Sequence, residues 1–237
     1  MHRESFFENL RQSLEKGRSK SPNLWNPDSE QETRDQVQVI LDSSETLWEE
    51  RYETIVTTAR KAGWNVARVA TLEDVIEYLE CLVQEKQATK VVFTSQNAVR
   101  DLGLDKIFSQ SQIEFTEIND GGNKLPADQR AKAIQADIGI TGVEFAVAET
   151  GTCVLTAGSD TGRLVGLAPP VHVAIVTKGQ VLDSLDDLFK IRKSQKIDGT
   201  FPAYSNLISG PSRSADIEYT LVTGVHGPGE VHMILVG

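Results

Sequence analysis

The sequence predicts an α/β fold with a mainly parallel sheet and flanking helices, preceded by an N-terminal helical arm. From residue 43 onward, segments with helical spacing alternate with short β-rich segments, which is the order of strands joined by crossover helices. Three later runs are apolar without alternation, as in strands covered on both faces, and they span residues 152–156, 172–176 and 231–236. Glycines cluster at the ends of these runs, where they let the backbone approach a neighbouring group.

The composition argues against several classes of protein. The 237 residues include 24 Lys and Arg against 34 Asp and Glu, and the net charge of −10 argues against nucleic-acid binding because phosphates are repelled. No apolar run reaches the roughly 18 residues of a membrane span, and acidic residues interrupt the N-terminus where a signal peptide is apolar. We therefore expect a cytoplasmic protein. Cys81 and Cys153 are too few for a disulfide scaffold or a cysteine-only zinc or iron–sulfur site.

Residues 1–42 are predicted to form an N-terminal helix and arm, and residues 43–237 the main domain. Apolar residues recur at helical spacing within residues 5–16, which predicts an amphipathic helix. Residues 17–36 are mostly polar and contain Gly and Pro, which indicates an exposed arm or linker. Trp25 in this linker either pins the arm to its own domain or contacts a partner.

The main domain begins with alternating helices and strands. Ser44 is suited to cap a helix that stops at Gly63. Thr71 and Asp74 have the Thr-x-x-acid spacing of a capping box, which starts the next helix. The predicted elements are a helix over residues 44–61, a strand over 64–70, a helix over 71–85, a strand over 91–94, a helix from about residue 96, a strand over 113–118 and a turn at 119–122.

The first motif that can carry chemistry spans residues 139–152. Glu149 lies there in small and apolar company just before a strand, where a desolvated carboxylate with a raised pKa could act as base, acid or nucleophile. The alternative is a structural glutamate that accepts hydrogen bonds from turn amides. The glycines and threonines around it suit a substrate cradle, and the predicted binding residues are Gly142, Thr150, Gly151 and Thr152.

The second motif spans residues 209–218. Ser214 is predicted to cap a helix that begins at Ala215, and the free amides of that helix start would form an anion site with two hydroxyls and Arg213. The alternative is an ordinary capped helix with a surface arginine. The residues predicted to bind a carboxylate or phosphate are Gly210, Ser212, Arg213 and Ser214.

The third motif, residues 224–232, is a rigid turn that leads into the final strand. We predict that His226 is catalytic; the alternative is a loop histidine bonded to backbone. A metal site of His226, Glu230 and His232 is the other alternative, but three ligands in so short a segment rarely converge, and we predict no metal. Cys153, in an apolar strand, is expected to be buried and inert rather than a catalytic thiol.

The three motifs together, in this order and spacing, resemble the LUD domain, specifically the lactate-utilisation LutC/YkgG family. The segments that carry the resemblance are residues 136–142 (ADIGITG) with 148–152 (AETGT), 210–218 (GPSRSADIE) and 225–228 (VHGP). The resemblance implies that the main domain is a LUD domain. It also implies the sheet fold shared by ribose-phosphate isomerases, glucosamine-phosphate deaminases and CoA transferases, the NagB/RpiA/CoA transferase-like fold.

The same resemblance implies a cluster-free subunit of a lactate-utilisation system that takes part in oxidising L-lactate to pyruvate with iron–sulfur partner proteins. No cofactor is identifiable in the chain, so the electron acceptor is expected on these partners. In this hypothesis Arg213 holds the lactate carboxylate, and Glu149 or His226 faces the hydroxyl. We expect these three residues to line one cleft beyond the carboxyl ends of the strands, where α/β sheets bind ligands.

Two other functions stay open at this point. A CoA or acyl transferase, or a phosphosugar isomerase, would use Glu149 as nucleophile or base, because related CoA transferases use a glutamate at a strand end as nucleophile. A non-catalytic scaffold subunit would keep the pocket without any chemistry. The first alternative requires a reactive carboxylate, whereas the second requires only an interaction surface.

Overall fold

The computed structural model describes residues 30–104, 113–118, 126–156, 162–215 and 221–237. The helix predicted over residues 5–16, Trp25 and the turn predicted at 119–122 lie outside these residues. Within the described ranges, no helix is both long and apolar enough to cross a lipid bilayer.

Strands and helices alternate along most of the chain. The helices are α1 (Glu30–Thr46), α2 (Trp48–Ala62), α3 (Leu72–Glu85), α4 (Asn97–Arg100), α5 (Ala127–Gln135) and α6 (Leu185–Ile197), with a 3₁₀ helix at Arg163–Gly166. The strands are β1 (Asn65–Val69), β2 (Lys90–Phe93), β3 (Glu114–Glu117), β4 (Ile138–Gly142), β5 (Phe145–Val147), β6 (Thr152–Thr156), β7 (Val171–Thr177), β8 (Val181–Leu182), β9 (Ser205–Ile208), β10 (Arg213–Ala215), β11 (Leu221–Thr223) and β12 (Glu230–Val236).

A parallel sheet of six strands forms the centre of the molecule, which confirms the predicted fold class. The strand order is β1–β12–β7–β4–β2–β3, and all five neighbouring pairs are parallel. The central strands β4, β7 and β12 are buried along nearly their whole length. Their continuous apolar runs follow from this position, because both faces of the sheet are covered.

Different elements cover the two faces of this sheet. On one face α3 contributes Val75, Leu79, Leu82 and Val83 to a core shared with the strands, and α4 adds Val99. The opposite face packs against α2 and against a second sheet. The spacing of the α3 residues is the helical repeat that the sequence predicts for a one-sided apolar face.

The second sheet was not predicted from the sequence. It has four strands in the order β8–β5–β6–β9, with β6 antiparallel to both of its neighbours. The run at residues 152–156 is a strand covered on both faces, as predicted, but it belongs to this smaller sheet. Helices α1 and α6 cover its outer face through Val37, Leu188 and Ile191. The molecule therefore has four layers instead of the three of a simple parallel-sheet fold.

Several helix ends agree with the predicted signals. Gly63 ends α2 with φ of 103°, a conformation that glycine adopts without strain. Thr71 and Asp74 form the predicted capping box at the start of α3. The predicted cap at Ser44 is wrong, because Ser44 is buried inside α1 and its hydroxyl donates to Ile40 O.

The chain between α1 and α2 breaks only at Leu47, between two helices. Residues 30–36, which we predicted to be linker, form the first turns of α1. This helix is held to the domain by packing on the second sheet, which no local sequence signal reports. It crosses the predicted boundary between residues 42 and 43, and the division into an arm and a main domain stays a prediction.

Candidate functional site

The first and second motifs meet along the C-terminal half of α2. Thr58 Oγ1 donates to Ala148 O over 2.6 Å. Gly151, with φ of 61°, lies so close that a Cβ there would be 2.5 Å from the helix backbone. About one turn further along, Gly210 lies against the carbonyl of Ala62. Two predicted binding residues, Gly151 and Gly210, therefore have a packing reason for lacking a side chain.

Three hydroxyls join the same two motifs. Thr152 Oγ1 lies 2.7 Å from Thr150 Oγ1 and 2.7 Å from Ser209 Oγ, so the three form a continuous hydrogen-bonded row. Thr152 is buried, whereas Ser209 is exposed. The row leads from the interior to the surface beside Gly210, and it places the predicted residues Thr150 and Thr152 at one location.

Glu149 lies at the outer end of this loop and is exposed. Its carboxylate accepts a hydrogen bond from Leu185 N over 3.2 Å, at the first residue of α6, and its own amide donates to Asp183 O over 3.0 Å. The expectation of a desolvated carboxylate is therefore wrong, because the side chain faces solvent at a helix start. The contact with Leu185 is the kind of turn-amide interaction that the structural alternative predicted.

The second motif forms a hairpin instead of a helix start. Arg213, Ser214 and Ala215 make up β10, which pairs with β11 in antiparallel register. The predicted helix from Ala215 is therefore wrong, because strand pairing overrides the capping preference of serine. Residues 216–218 lie outside the described part of the chain. Among the described residues, the predicted anion site is left with Arg213 and the hydroxyls of Ser212 and Ser214.

Arg213 crosses the end of α2. Its Nη2 donates to Ala62 O over 3.2 Å and lies directly over Gly63, so that any side chain at Gly63 would displace it. The side chain is exposed. Within the described part of the chain the guanidinium has this one hydrogen-bond partner, so its other donors face the surface beside the hydroxyl row.

The third motif packs on the second. Ser212 N donates to Pro228 O over 2.8 Å, and a Cβ at Gly227 would be 3.5 Å from Ser212 Cβ. His226, one residue before Gly227, is exposed. The loop is anchored at its other end by the bond from Gly229 N to Pro170 O, over 3.0 Å.

These loops lie at the amino edge of the central sheet and not beyond its carboxyl ends, as we had expected. The loop with His226 precedes β12, and Arg213 lies over the residue pair that precedes β1. Gly142 lies at the opposite edge, at the end of β4, where a Cβ would be 3.2 Å from Gln96 Oε1. The structure thus separates Gly142 from Arg213 and His226.

The alternative of a metal site at the third motif requires His232 and Glu230 as ligands, and both side chains already have partners within the protein. His232 Nδ1 lies 2.7 Å from the hydroxyl of Tyr78, and His232 Nε2 lies 2.8 Å from Glu230 Oε1. Lys86 Nζ binds the same Glu230 oxygen over 2.8 Å. In the residues that the structure describes, no group of three His, Cys, Asp or Glu side chains could hold a metal ion. Cys153 is fully buried, as predicted, and burial raises the pKa of its thiol.

The structure adds two residues that sequence reasoning missed, His172 and Trp64. His172 lies fully buried in β7, and its Nε2 is 2.9 Å from Thr141 Oγ1. Burial, with a smaller contribution from His232, lowers the pKa of His172 to about 4, so the ring is neutral at pH 7. The ring centroid of Trp64 lies 6.3 Å from that of His172. The sequence signal that could have pointed to His172 was a single histidine inside an otherwise apolar predicted strand.

A family model of the LUD domain matches residues 52–236. The chain belongs to the LUD domain family. The lactate utilization protein C of Halalkalibacterium halodurans is 31% identical over 231 residues, which cover 95% of this chain and 94% of that protein. Lactate utilization protein C of Bacillus subtilis is 45% identical over 106 residues, 44% of each chain.

A solved structure supports the fold of this LUD domain. The crystal structure of a DUF162 family protein from Deinococcus radiodurans aligns with a TM-score of 0.53 at 20% identity, and covers 80% of this chain and 98% of that one. The LUD domain contains every predicted site residue, from Gly142 to His226.

Proposed function

We propose that this chain is the cluster-free subunit of a lactate-utilisation system and takes part in oxidising L-lactate to pyruvate. The observation that carries the proposal is the similarity, over 95% of the chain, to a protein named lactate utilization protein C. Iron–sulfur partner proteins hold the electron acceptor, and the system works in the cytoplasm.

The surface at the end of α2 supports this function chemically. Lactate is a small carboxylate, and the exposed guanidinium of Arg213 offers paired donors that match a carboxylate. The hydroxyls of Ser209 and Ser212 lie on loops next to it. Oxidation removes two electrons and two protons from lactate. The protons need a base at this surface, for which His226 is the exposed candidate, and the electrons leave to the partners.

The test is genetic and biochemical. Deletion of the gene in its source organism should abolish growth on L-lactate while growth on pyruvate continues, because pyruvate is the product of the proposed reaction. A copy of the gene supplied in trans should restore growth on L-lactate. When the gene supplied in trans encodes a tagged chain, affinity purification through the tag should also isolate proteins that show iron–sulfur absorption.

Two outcomes would contradict the proposal. Normal growth of the deletion strain on L-lactate, with normal lactate-oxidising activity in its extract, would show that the chain has no part in this reaction. Turnover of L-lactate by the purified chain alone would contradict its role as a subunit that passes electrons to partners.

A further inference from the structure

Two neighbouring side chains at the amino edge of the sheet are buried but leave a polar nitrogen unpaired. Trp64 is 3% exposed and His172 is 0% exposed, yet among the residues that the structure describes neither Trp64 Nε1 nor His172 Nδ1 has a hydrogen-bond partner. Buried polar groups in folded proteins are almost always hydrogen-bonded, since an unmade bond costs the whole desolvation penalty. Two such atoms on neighbouring rings leave an indole donor and a ring nitrogen available to a polar guest.

The two rings belong to one row across the sheet. Asn65 pairs with His232 and Val231 pairs with His172, so Trp64, which directly precedes Asn65, is level with Val231. Trp64 and Val231 both belong to the core on the α2 side of the sheet. The rings of Trp64 and His172 therefore approach each other on one face, across a single strand.

The second motif reaches this row through Arg213. Gly63, directly before Trp64, is covered by the Arg213 guanidinium. The 3₁₀ helix lies against the other side, where a Cβ at Gly166 would be 3.3 Å from His172 Nε2. The pair of Trp64 and His172 thus has Arg213 on one side and the 3₁₀ helix on the other.

The chemistry of these groups limits the guest. An indole N–H can only donate, so the guest must present an acceptor oxygen. His172 is neutral and lies in the apolar core, which favours an uncharged oxygen over a full anion at this point. Arg213 is outside the row and exposed, where it can neutralise a carboxylate.

We propose that Trp64 and His172 bind the 2-oxygen of a small 2-hydroxy or 2-oxo carboxylate whose carboxylate faces Arg213. This proposal rests on the proposed function for the choice of lactate and pyruvate as probes. It extends that function by placing the substrate oxygen at two residues that none of the three sequence motifs contains.

The direct test observes the indole N–H groups by NMR. The chain has three tryptophans, so a ¹⁵N-labelled sample gives three indole cross-peaks, which Trp→Phe variants assign. Titration with L-lactate or pyruvate should move the Trp64 cross-peak saturably and leave that of Trp48 in place. Propionate, which lacks the 2-oxygen, should bind at least about tenfold more weakly, because the buried nitrogens then stay unpaired.

Trp48 supplies a matched control. It is 2% exposed and its Nε1 likewise has no partner among the described residues, but it lies at the other end of α2, about 20 Å away, against Gly237. Trp64→Phe removes one donor and keeps an aromatic ring, and should weaken pyruvate binding about tenfold by calorimetry. Trp48→Phe should leave the affinity unchanged.

Three results would overturn the inference: a Trp64 cross-peak that does not move with either probe at tens of millimolar, equal affinity for propionate and lactate, or equal loss of affinity in the two Phe variants. A deletion strain that grows normally on L-lactate would refute the proposed function instead. In that case a saturable Trp64 shift would still establish the buried site for this class of acid.

Discussion

Arg213 is the residue on which the surface part of the candidate site depends. Its guanidinium is exposed and donates to Ala62 O at the end of α2, and no other described residue uses its remaining donors. A lysine at this position keeps the charge but loses the planar pair of donors that matches a carboxylate. The two roles of the arginine, as a tie and as a clamp, can therefore be separated.

We expect Arg213→Lys to weaken binding of L-lactate and pyruvate by about 1.5–3 kcal/mol, which is about tenfold to 150-fold, in calorimetric titrations. Stability without ligand should change by less than about 1 kcal/mol in urea unfolding, because the lost bond is exposed. Arg100→Lys, on the other side of the sheet, is the matched control. Unchanged affinity would show that Arg213 does not bind the carboxylate. A large loss of stability without ligand would show that its main role is to stabilise the fold through Ala62 O.

His172 gives a second test at the residue scale, through pH. Burial lowers its pKa from 6.5 to about 4, so the unfolded chain binds the proton more strongly than the folded one. Above about pH 6.5 the ring is neutral in both states and the protein keeps its full stability. As the pH falls from about 6.5 to about 4, only the unfolded chain takes up the proton, so the free energy of unfolding decreases. The loss amounts to about 3 kcal/mol.

His172→Gln retains an amide that can bond to Thr141 but removes the titration. Urea unfolding between pH 7 and pH 4 should therefore show a fall in stability that is smaller by about 3 kcal/mol in this variant than in the wild type. Identical pH profiles for His172→Gln and wild type would mean that His172 is accessible to protons in the folded chain.

At the scale of elements, long apolar runs and complete capping signals were predictable, and short or pairing-dependent elements were not. The run at residues 172–176 became β7, and the capping box at Thr71 starts α3. Strands β5 and β8 have three and two residues, too few to show a periodic pattern. Ser214 carries a capping signal, but it pairs with Val222 of β11 and lies in a strand, and β11 has only three residues and shows no periodic pattern of its own.

The same limit applies to the candidate site. The glycine-rich motifs were visible in the sequence, and their grouping along α2 follows from tertiary packing at Gly151 and Gly210. The position of His226 at the amino edge was predictable, because its loop precedes the final strand of a parallel sheet. That of Arg213 was not, because it depends on the packing of Arg213 against the end of α2. The row of Trp64 and His172 depends on the pairing of three strands and carries no local motif.

A glycine pair tests the contact between the first motif and α2. Gly151 and Gly103 both have φ of 61°, but Gly151 lies against the α2 backbone, whereas no described residue comes within 4 Å of a Cβ built at Gly103. Gly103→Ala should cost about 1 kcal/mol, the usual cost of this conformation for alanine. Gly151→Ala should cost at least about 2 kcal/mol more in urea unfolding, because the helix must move. Equal losses would show that the loop does not rest on the helix.

At the scale of the whole molecule, the four layers place two chemically different surfaces on one chain. The amino edge of the central sheet gathers the second and third motifs and the buried pair of Trp64 and His172. The outer face of the second sheet is covered by α1 and α6. The residues proposed to bind the acid therefore lie at one edge of the central sheet, away from the outer layer of α1 and α6.

The central claim is that this chain acts on L-lactate only within an assembly. The measurement that tests it most directly is L-lactate-dependent formation of pyruvate, with reduction of a dye, by the tagged chain purified alone and by the assembly captured from its source organism. We predict no turnover by the chain alone, turnover by the captured assembly, and a loss of at least about tenfold when the captured assembly carries Arg213→Lys. Turnover by the chain alone, or a captured assembly that forms no pyruvate, would contradict the account.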